Sequence, residues 1–346
     1  MKKIVTAISI CSALFSFGQD LHYSMFTMAP LTLNPGLCGN FLGDLRVVNN
    51  YRMQWTPIDK PYNTYTISID APLPRHDQKH SSPDFWAVGL NANVDKAGTT
   101  NLKDNGFNAV CSYNKSFDGS GKSFLSLGFS AGYVLRSITM NGQSWDAQFS
   151  NLAYDPSLPT GETLTPNDHY GYGDLSTGVA YSTAASERFK LCMGIGAAHL
   201  TRPEIDFLGG KDKMYMKFTG HFNAEVALGS NSNAWLLPQV LFVRQGPAMM
   251  VNAGVGVKYQ LSERSHYTNY QSSKFLSIGG MYRLGDAFSG YVRLDIGPVG
   301  AAFNYDINVS PLTTATKGNG AMEFMLIYSG IYHDINSRTA SQSFFN

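Results

Sequence analysis

The chain carries little charge, and its apolar residues are not gathered into long runs. Aspartate, glutamate, lysine and arginine make up 15% of its 346 residues, and the formal net charge is +1. Proteins that bind nucleic acids usually display a strongly basic surface, which this balance does not provide. After Gln19 no stretch reaches the roughly 20 consecutive apolar residues of a transmembrane helix. The composition therefore argues against a nucleic-acid-binding protein and against a helical membrane protein.

Cysteine is also scarce. Apart from Cys11, the chain has Cys38, Cys111 and Cys192, which are odd in number and far apart in the sequence. Disulfide frameworks use even numbers of cysteines, and zinc sites usually contain closely spaced pairs. We therefore predict neither from these residues, and we interpret Cys111 and Cys192 as small side chains within strands.

The first residues have the parts of a secretory signal peptide. Lys2 and Lys3 precede an apolar stretch, and small residues follow at Ser16 and Gly18. This pattern predicts a signal peptide over residues 1–18 with cleavage before Gln19. Cys11 lies inside the apolar stretch but follows Ile10, so a lipoprotein signal is not predicted. We expect an exported protein.

What recurs along the rest of the chain is alternation of apolar and polar residues. In TYTISIDAPL, residues such as Ile67 and Ile69 share one face, whereas Thr66, Ser68 and Asp70 share the other. Such a period of two is typical of a strand with two different faces. About fourteen segments of roughly 9–13 residues show it, which is the length a tilted strand needs to cross a bilayer. They begin near Asp44, Asn63, Asp84, Asn105, Lys122, Gly173, Arg188, Lys213, Ala234, Met249, Lys274, Asp286, Pro298 and Asn319.

This pattern predicts an all-β fold, a transmembrane antiparallel β-barrel of about fourteen strands in the outer membrane. The barrel is expected over residues 44–331, with a tail over 332–346 and both barrel ends in the periplasm. Its longest outward connection is expected from about Ser137 to Tyr172. Aromatic residues near strand ends fit either interfacial girdles or the ordinary strand preference for aromatics. These residues are Trp55, Tyr62, Tyr65, Trp86 and Tyr282.

Residues 19–43, before the first strand, are apolar but do not alternate. They are rich in methionine and contain Pro30, Pro35 and Gly36. A segment this irregular is unsuited to lipid, so we predict a plug that packs inside the barrel or across its periplasmic mouth. A disordered leader is the alternative. The predicted plug residues are Tyr23, Met25, Phe26, Asn34, Pro35 and Gly36.

Two strings within DGSGKSFLSLGFSAG resemble catalytic motifs. Gly121-Lys122-Ser123 ends like a phosphate-binding loop, and the five residues from Gly128 to Gly132 spell the G-x-S-x-G of a hydrolase. The phosphate loop needs glycine at Ser116 and a helix after Ser123, and the hydrolase motif needs a sharp turn at Ser130. The residues that follow Ser123 alternate as a strand does. We therefore predict barrel wall and no catalytic site.

Other polar residues also have the spacing of functional groups. His76 and His80 have the spacing of metal ligands on a helix, but their proline-flanked polar setting favours a solvated loop, and no metal or cofactor is predicted. His221 and Glu225 share the inward face, where a structural network is favoured over an acid–base pair. Inward charges of both signs suggest pairing across the lumen rather than a selective pore. These charges are Arg46, Arg52, Asp70, Arg136, Lys217, Glu225, Arg244, Lys258, Arg283, Arg293, Asp295 and Glu323.

Several stretches together resemble the PorP/SprF family. They are Tyr23-Ser24-Met25-Phe26, Leu33-Asn34-Pro35-Gly36 with Gly39, Asn50-Tyr51-Arg52-Met53-Gln54-Trp55, Tyr65 to Leu73, Tyr282 to Ala287, Tyr305 to Ser310, and Gly320 with Glu323 and Tyr328. The sequence departs from the family pattern at Gly36, where alanine is usual, at Thr27 to Pro30, and in the C-terminal tail.

The resemblance implies a non-enzymatic outer-membrane component of the Bacteroidota type IX secretion and gliding machinery. It implies export or surface anchoring of large adhesins that carry a type B C-terminal signal domain, and contact with PorE-, PorK- and PorN-like periplasmic proteins. The alternative is a FadL-like transporter of small hydrophobic molecules, which would need an apolar pocket through the lumen and a gap in the wall.

Overall fold

The structure is a computed structural model of the chain. It describes residues 20–57, 60–73, 83–98, 102–118, 121–139, 145–150, 153–159, 161, 167–186, 188–205, 212–229, 233–262, 273–311 and 313–330. The predicted signal peptide, the pair His76 and His80, and the tail 332–346 lie outside these residues. No helix in the described ranges is long and apolar enough to cross a membrane.

Within these ranges, fourteen strands form one closed antiparallel barrel. They are β1 (Leu45–Gln54), β2 (Tyr62–Pro72), β3 (Phe85–Ala97), β4 (Leu102–Ser116), β5 (Ser123–Thr139), β6 (Asn167–Ser186), β7 (Phe189–Ala198), β8 (Lys217–Ala227), β9 (Ala234–Gln245), β10 (Ala248–Ser262), β11 (Lys274–Arg283), β12 (Ala287–Ile296), β13 (Val299–Asn308) and β14 (Asn319–Gly330). Each strand pairs with its neighbour in sequence, and β1 pairs with β14. The predicted fold class is confirmed.

Two rims bound this barrel. We call the rim where β1 begins and β14 ends the terminal rim, and the other the loop rim. The connection from β5 to β6 lies at the loop rim and contains a two-stranded hairpin of Phe149–Ser150 and Ala153–Tyr154. The connection from β7 to β8 also lies there and contains a second small hairpin, Glu204–Ile205 with Asp212–Lys213.

The two faces of the wall have the predicted polarity. In β2, Ile67 and Ile69 are 41% and 40% exposed, whereas Thr66 and Asp70 are each 1% exposed. The same phase holds in β5, where Leu127 is exposed and Ser126 is buried. Apolar side chains therefore face outward and polar side chains line the lumen, as in a barrel that crosses a membrane.

Some strands are longer than the sequence pattern indicates. Strand β5 has 17 residues and β6 has 20, and β6 begins at Asn167 rather than near Gly173. The added stretch of β6, NDHYGY, is polar or aromatic in most positions and shows no clear alternation. Backbone pairing continues beyond the apolar band. The residues there no longer alternate between apolar and polar, so the sequence does not indicate that they form a strand.

One predicted inward charge faces outward instead. Arg244 is exposed and shares its face of β9 with Val240 and Phe242, which are also exposed. Strand β9 reads AWLLPQVLFVRQ and is apolar on both faces over most of its length. Its phase was therefore ambiguous in the sequence, and the placement of Arg244 was wrong.

The two catalytic-looking strings lie in and beside β5, as predicted. Gly128 and Ser130 are strand residues, and Asp118 closes the preceding turn by accepting a hydrogen bond from the Gly121 amide at 3.1 Å. Cys111 and Cys192 also lie in strands, which confirms their interpretation, and all three described cysteines are free. No group of histidine, cysteine and acidic residues in the described ranges could hold a metal ion.

Aromatic residues meet in pairs at both rims. The rings of Trp55 and Tyr62 meet edge to face at the loop rim with centroids 5.1 Å apart. At the same rim, Tyr282 stacks on Phe288 at 4.4 Å. The Trp86 ring lies 4.9 Å from that of Tyr113 near the terminal rim. Tyr65 lies deeper in β2 and is 40% exposed. The positions at the rims are those that interfacial girdles occupy.

The outward assignment predicts a dependence on depth along β2. Arginine in place of Ile67 should reduce the free energy of unfolding by about 2–4 kcal/mol, because it places a charge near the centre of the bilayer. Arginine in place of Leu73, equally exposed on the same face but at the terminal rim, should cost about 0–1 kcal/mol. Urea unfolding in lipid vesicles measures both, and equal losses would contradict the assignment.

Candidate functional site: the segment inside the barrel

Residues 20–44 run through the lumen from the loop rim to the terminal rim. At one end, the Asp20 amide donates to Gln245, the last residue of β9, at 3.1 Å. At the other end, Arg46 of β1 donates to the Leu37 carbonyl at 3.0 Å. Met28, Leu37 and Phe41 are completely buried between these ends. The lumen is therefore occupied by the chain itself.

The segment is built from three short helical turns. Two 3₁₀ turns, Phe26–Met28 and Pro35–Leu37, flank α1, which spans Pro30–Leu33. Both prolines stand at the first position of a turn, where a helix has no use for the amide hydrogen that proline lacks. The compact turns keep most backbone groups paired within a space that strands could not fill.

Asn34 fixes the centre of the segment to the wall. Its Oδ1 accepts from the Gly36 amide at 2.8 Å and so caps the Pro35–Leu37 turn. Its Nδ2 donates to the carbonyl oxygens of Val179 and Ile195 at 3.1 and 3.2 Å, and lies 3.2 Å from Nε2 of His221. One buried side chain thus joins the segment to β6, β7 and β8.

Glycines make room for this turn. Gly128 of β5 stands opposite Gly178 of β6, which stands opposite Gly196 of β7. A Cβ atom on Gly128 would lie 2.2 Å from the carbonyl carbon of Pro35, and one on Gly178 would lie 1.9 Å from Oδ1 of Asn34. Neither position tolerates a side chain while the turn stays in place. We call Gly128, Gly178 and Gly196 the glycine row.

A buried ionic cluster holds the segment near the loop rim. Its centre is Ser24, whose Oγ donates to Asp306 at 2.8 Å and accepts from Arg52 and Arg283 at 3.2 and 3.1 Å. The Ser24 amide donates to Glu323 at 2.7 Å. Arg52 also pairs with Glu323, and Arg283 with Asp306. We call Ser24, Arg52, Arg283, Asp306 and Glu323 the serine cluster.

The charges of the serine cluster are paired, and Arg283 also binds Asp286 at 2.5 Å. Two arginines face two carboxylates, and every member is at most 5% exposed. Buried charges are tolerated only when they are paired and hydrogen-bonded, because each loses its hydration. Ser24 and the Met25 amide, which donates to Glu323 at 3.1 Å, supply bonds that the wall alone lacks. The wall charges and the segment therefore stabilise one another.

A second buried pair anchors the segment at the terminal rim. Arg46 binds both carboxylate oxygens of Asp70, at 2.9 and 2.7 Å, in the bidentate geometry that favours such pairs. The Gly39 amide donates to the same carboxylate at 2.7 Å. The Arg46 guanidinium lies 4.6 Å from the centre of the Phe41 ring.

The remaining predicted plug residues pack against the wall. The Tyr23 hydroxyl donates to Thr66 of β2 at 2.7 Å. Met25 and Phe26 belong to a buried apolar cluster that includes Met281 and Tyr291 from β11 and β12. All six predicted residues lie inside the barrel.

The lumen charges pair along the wall rather than across the lumen. Pairs form between neighbouring or nearby strands, or within one strand. They are Arg136 with Asp104, Glu225 with Lys258 and Lys190, and Arg293 with Asp295. His221 binds Asn34 and Glu225 binds lysines, so the two share no network. Four residues along a strand separate them by about 13 Å, which is too far for contact.

A further cluster lies where the segment reaches the loop rim. His199 contacts Asp20 through Nε2 at 2.5 Å and Asp174 through Nδ1 at 3.0 Å, and Lys217 lies 3.0 Å from Asp20. Burial lowers the pKa of His199, but hydrogen bonds to Asp174 and Asp20 outweigh it and raise the pKa to about 9. A protonated His199 therefore bridges two carboxylates and ties the segment to the rim.

Several of these residues were not predicted from the sequence. Ser24 stands out in the sequence only as part of a family motif, although it is the centre of the serine cluster. Asp306 shares the inward phase of Asn304 in β13, which could have placed it among the lumen charges. The glycine row could not be recognised in the sequence, because glycine is frequent throughout the chain.

The glycine row predicts the effect of one methyl group. Gly128→Ala should cost about 1–3 kcal/mol of stability, because the new Cβ would displace the backbone at Pro35. It should also expose Cys38, whose amide bonds to the Pro35 carbonyl at 3.2 Å. Maleimide labelling of Cys38, with the exposed Cys111 replaced by alanine, measures this. Gly290→Ala is the control, since a Cβ there meets no atom within 4 Å. Equal labelling in both variants would contradict the close approach.

His199 predicts a pH dependence of stability. Its pKa is raised above the unfolded value near 6.5, so its contribution is complete below about pH 6.5 and is lost as pH rises through about 9. The thermal midpoint of the wild type should fall over this window, and His199→Gln should remove that fall. His169→Gln, which changes an exposed histidine of β6, should keep it. An unchanged profile in His199→Gln would rule out the bridge.

Comparison with known proteins gives fold likenesses at low identity. The FadL homologue of Pseudomonas aeruginosa is 9% identical with a TM-score of 0.41, over 86% of this chain and 92% of that one. The translocator domain of the autotransporter NalP from Neisseria meningitidis is 13% identical with a TM-score of 0.32, over 87% and 93%. BamA from Haemophilus ducreyi is 10% identical with a TM-score of 0.41, over 82% and 69%. Such scores say nothing about function.

No curated protein matches the chain. A family model does, and it covers residues 15–328, which include the lumen segment and nearly all of the barrel. Its description is "Type IX secretion system membrane protein PorP/SprF". The chain is thus an outer-membrane component of type IX secretion, associated with that machinery, and it belongs to the PorP/SprF family.

Proposed function

We propose that this barrel is a non-enzymatic scaffold that anchors large adhesins carrying type B C-terminal signal domains during their export or surface attachment. In this proposal the loop rim faces outward, and the terminal rim faces periplasmic components of the PorE, PorK and PorN kind. Residues 1–18 are removed as a signal peptide. The observation that carries the proposal is a lumen filled by the chain's own residues in a member of a secretion family.

The filled lumen supports a scaffold because it is tied to the wall at several heights. The serine cluster, Asn34 and the Arg46–Asp70 pair connect the segment to strands on all sides. Opening a path for cargo would strip the hydrogen bonds of Ser24, Met25 and Gly39 from buried carboxylates of the wall, and buried charges that lose hydrogen bonds are costly. Contacts with partners are then expected at the rims.

Transport of small hydrophobic molecules, the alternative, finds little support in the lumen. An apolar cavity beside Phe26 and Leu241 holds about 40 Å³, and a polar cavity beside Asp95 and Arg136 holds about 170 Å³. Ligand pockets usually measure roughly 300–1,000 Å³. The fourteen described wall strands are all paired, so the wall has no gap between them.

The hairpin in the connection from β5 to β6 is our candidate for the outward contact. Phe149 and Tyr154 are 57% and 42% exposed, with ring centroids 5.6 Å apart. Buried Gln148 holds the hairpin by bonding to the Trp145 amide and the Leu158 carbonyl, at 3.2 and 3.0 Å. Preordered aromatic residues are common anchors in protein interfaces.

A pull-down from native outer membrane in mild detergent tests the proposal. Tagged wild type should recover a very large surface protein and periplasmic secretion components. Replacing Phe149 and Tyr154 with serine should remove the surface protein and keep the periplasmic ones, because only the outward contact is lost.

Leu284→Ser is the matched control, since Leu284 is 63% exposed in another connection at the same rim. It should recover both classes of partner. Recovery of the barrel alone with bound fatty acid would overturn the scaffold proposal in favour of transport.

A further inference from the structure

Two arginines stand on the outer face of the barrel near the loop rim. Arg244 ends the outward row of β9, and Arg202 lies in the connection from β7 to β8. Both line one groove of about 380 Å³, together with Tyr215, Met216, Phe218 and Gly246. Within the described ranges, neither guanidinium has a hydrogen-bond or ion-pair partner, and no acidic residue lines the groove. Among the residues that the structure describes, the groove lining therefore carries two positive charges and no negative one.

The shape of the groove is fixed by the turn between β9 and β10. Gly246 has a φ of +56°, a conformation that favours glycine. A Cβ atom there would lie 2.6 Å from the Tyr215 ring, so the ring rests directly on the turn. Tyr215 is 49% exposed and forms a wall beside the two arginines.

A second, apolar groove lies next to this one on the lipid-facing wall, over Gly220 between Ile195 and Phe242. We call it the furrow. Phe218 stands opposite Arg244, and the next outward row places Gly220 between Ile195 and Phe242. This row lies about 7 Å further from the rim, since a strand rises about 3.4 Å per residue. The glycine between two large side chains leaves a depression, which opens into a groove of about 480 Å³.

We propose that this face is a binding site for one membrane lipid with a negatively charged phosphate headgroup. The two guanidinium groups bind the phosphate, which arginine recognises with paired donors. An acyl chain lies in the furrow over Gly220, between Ile195 and Phe242. Charge complementarity selects the headgroup, and the position of the site on an apolar, outward wall selects a lipid over a soluble anion.

The alternative occupant of such a face is a protein helix. The furrow descends along the row of exposed apolar side chains that the wall presents to the bilayer, and the charges stand at its upper end only. This change from charged to apolar residues matches a lipid that lies perpendicular to the membrane plane, with its headgroup at the arginines and its acyl chain in the furrow. A helix would need apolar contact along its whole length.

Native mass spectrometry of the delipidated full chain tests the proposal. Phosphatidylglycerol and phosphatidylcholine with identical acyl chains are added back separately. Wild type should retain phosphatidylglycerol about tenfold better than phosphatidylcholine, because phosphatidylglycerol brings a net negative charge to the two arginines whereas phosphatidylcholine is zwitterionic and has no net charge. The double variant Arg202→Gln with Arg244→Gln should bring that ratio to about one.

Two further variants separate the parts of the site. Arg188→Gln, an exposed arginine at the terminal rim, is the matched control and should keep the wild-type ratio. Gly220→Val should weaken retention of both lipids, because it fills the furrow; its Cβ would meet only Phe242, at 3.9 Å. Heat-dependent gel mobility confirms that each barrel is folded. Wild type without headgroup preference, or a double variant that keeps the preference, would overturn the proposal.

Discussion

The structure depends on one buried interaction, the pairing of Arg52 with Glu323 around Ser24. These two residues stand opposite each other on β1 and β14, so the ion pair crosses the seam at which the barrel closes. The Ser24 hydroxyl and amide complete it from the lumen side, and Asp306 with Arg283 extends it to β13 and β11. Removing water from four charges is costly unless all their bonds are made. The first strand, the last strand and the lumen segment therefore require one another.

On the opposite side of the lumen, the wall makes room for the segment with glycines, which have no side chain. Gly128, Gly178 and Gly196 form a bare row across three strands, against which the Asn34–Pro35–Gly36 turn lies. Gly36 itself has little space, since a Cβ there would be 3.0 Å from the Gly178 carbonyl oxygen. The segment is thus fixed by charge on one side and by close backbone contact on the other. A lumen filled in this way leaves the rims and the outer wall as the surfaces that our proposals assign to partners and lipids.

Much of the fold could be predicted from the sequence because the bilayer imposes a simple pattern. The phase of β2, with Ile67 outward and Asp70 inward, follows from alternation alone. The pattern failed for Arg244, where both faces of β9 are apolar, and for the start of β6, where pairing continues outside the apolar band. The inward residues could be recognised individually, but their partners could not. His221 and Glu225 share a face and not a network, because partners depend on strand register and on where the segment lies.

The most direct measurement of this account is hydrogen–deuterium exchange of the lumen segment in the purified, membrane-reconstituted protein. The amides of Ser24, Met25, Gly36 and Gly39 all donate to buried side chains. We expect them to exchange as slowly as the paired amides of β1 and β14, since releasing them requires opening the serine cluster, the turn capped by Asn34 or the contact of Gly39 with Asp70. Exchange of these amides at the rate of unprotected peptide, while the strands stay protected, would show that the segment does not hold the barrel and would contradict the account.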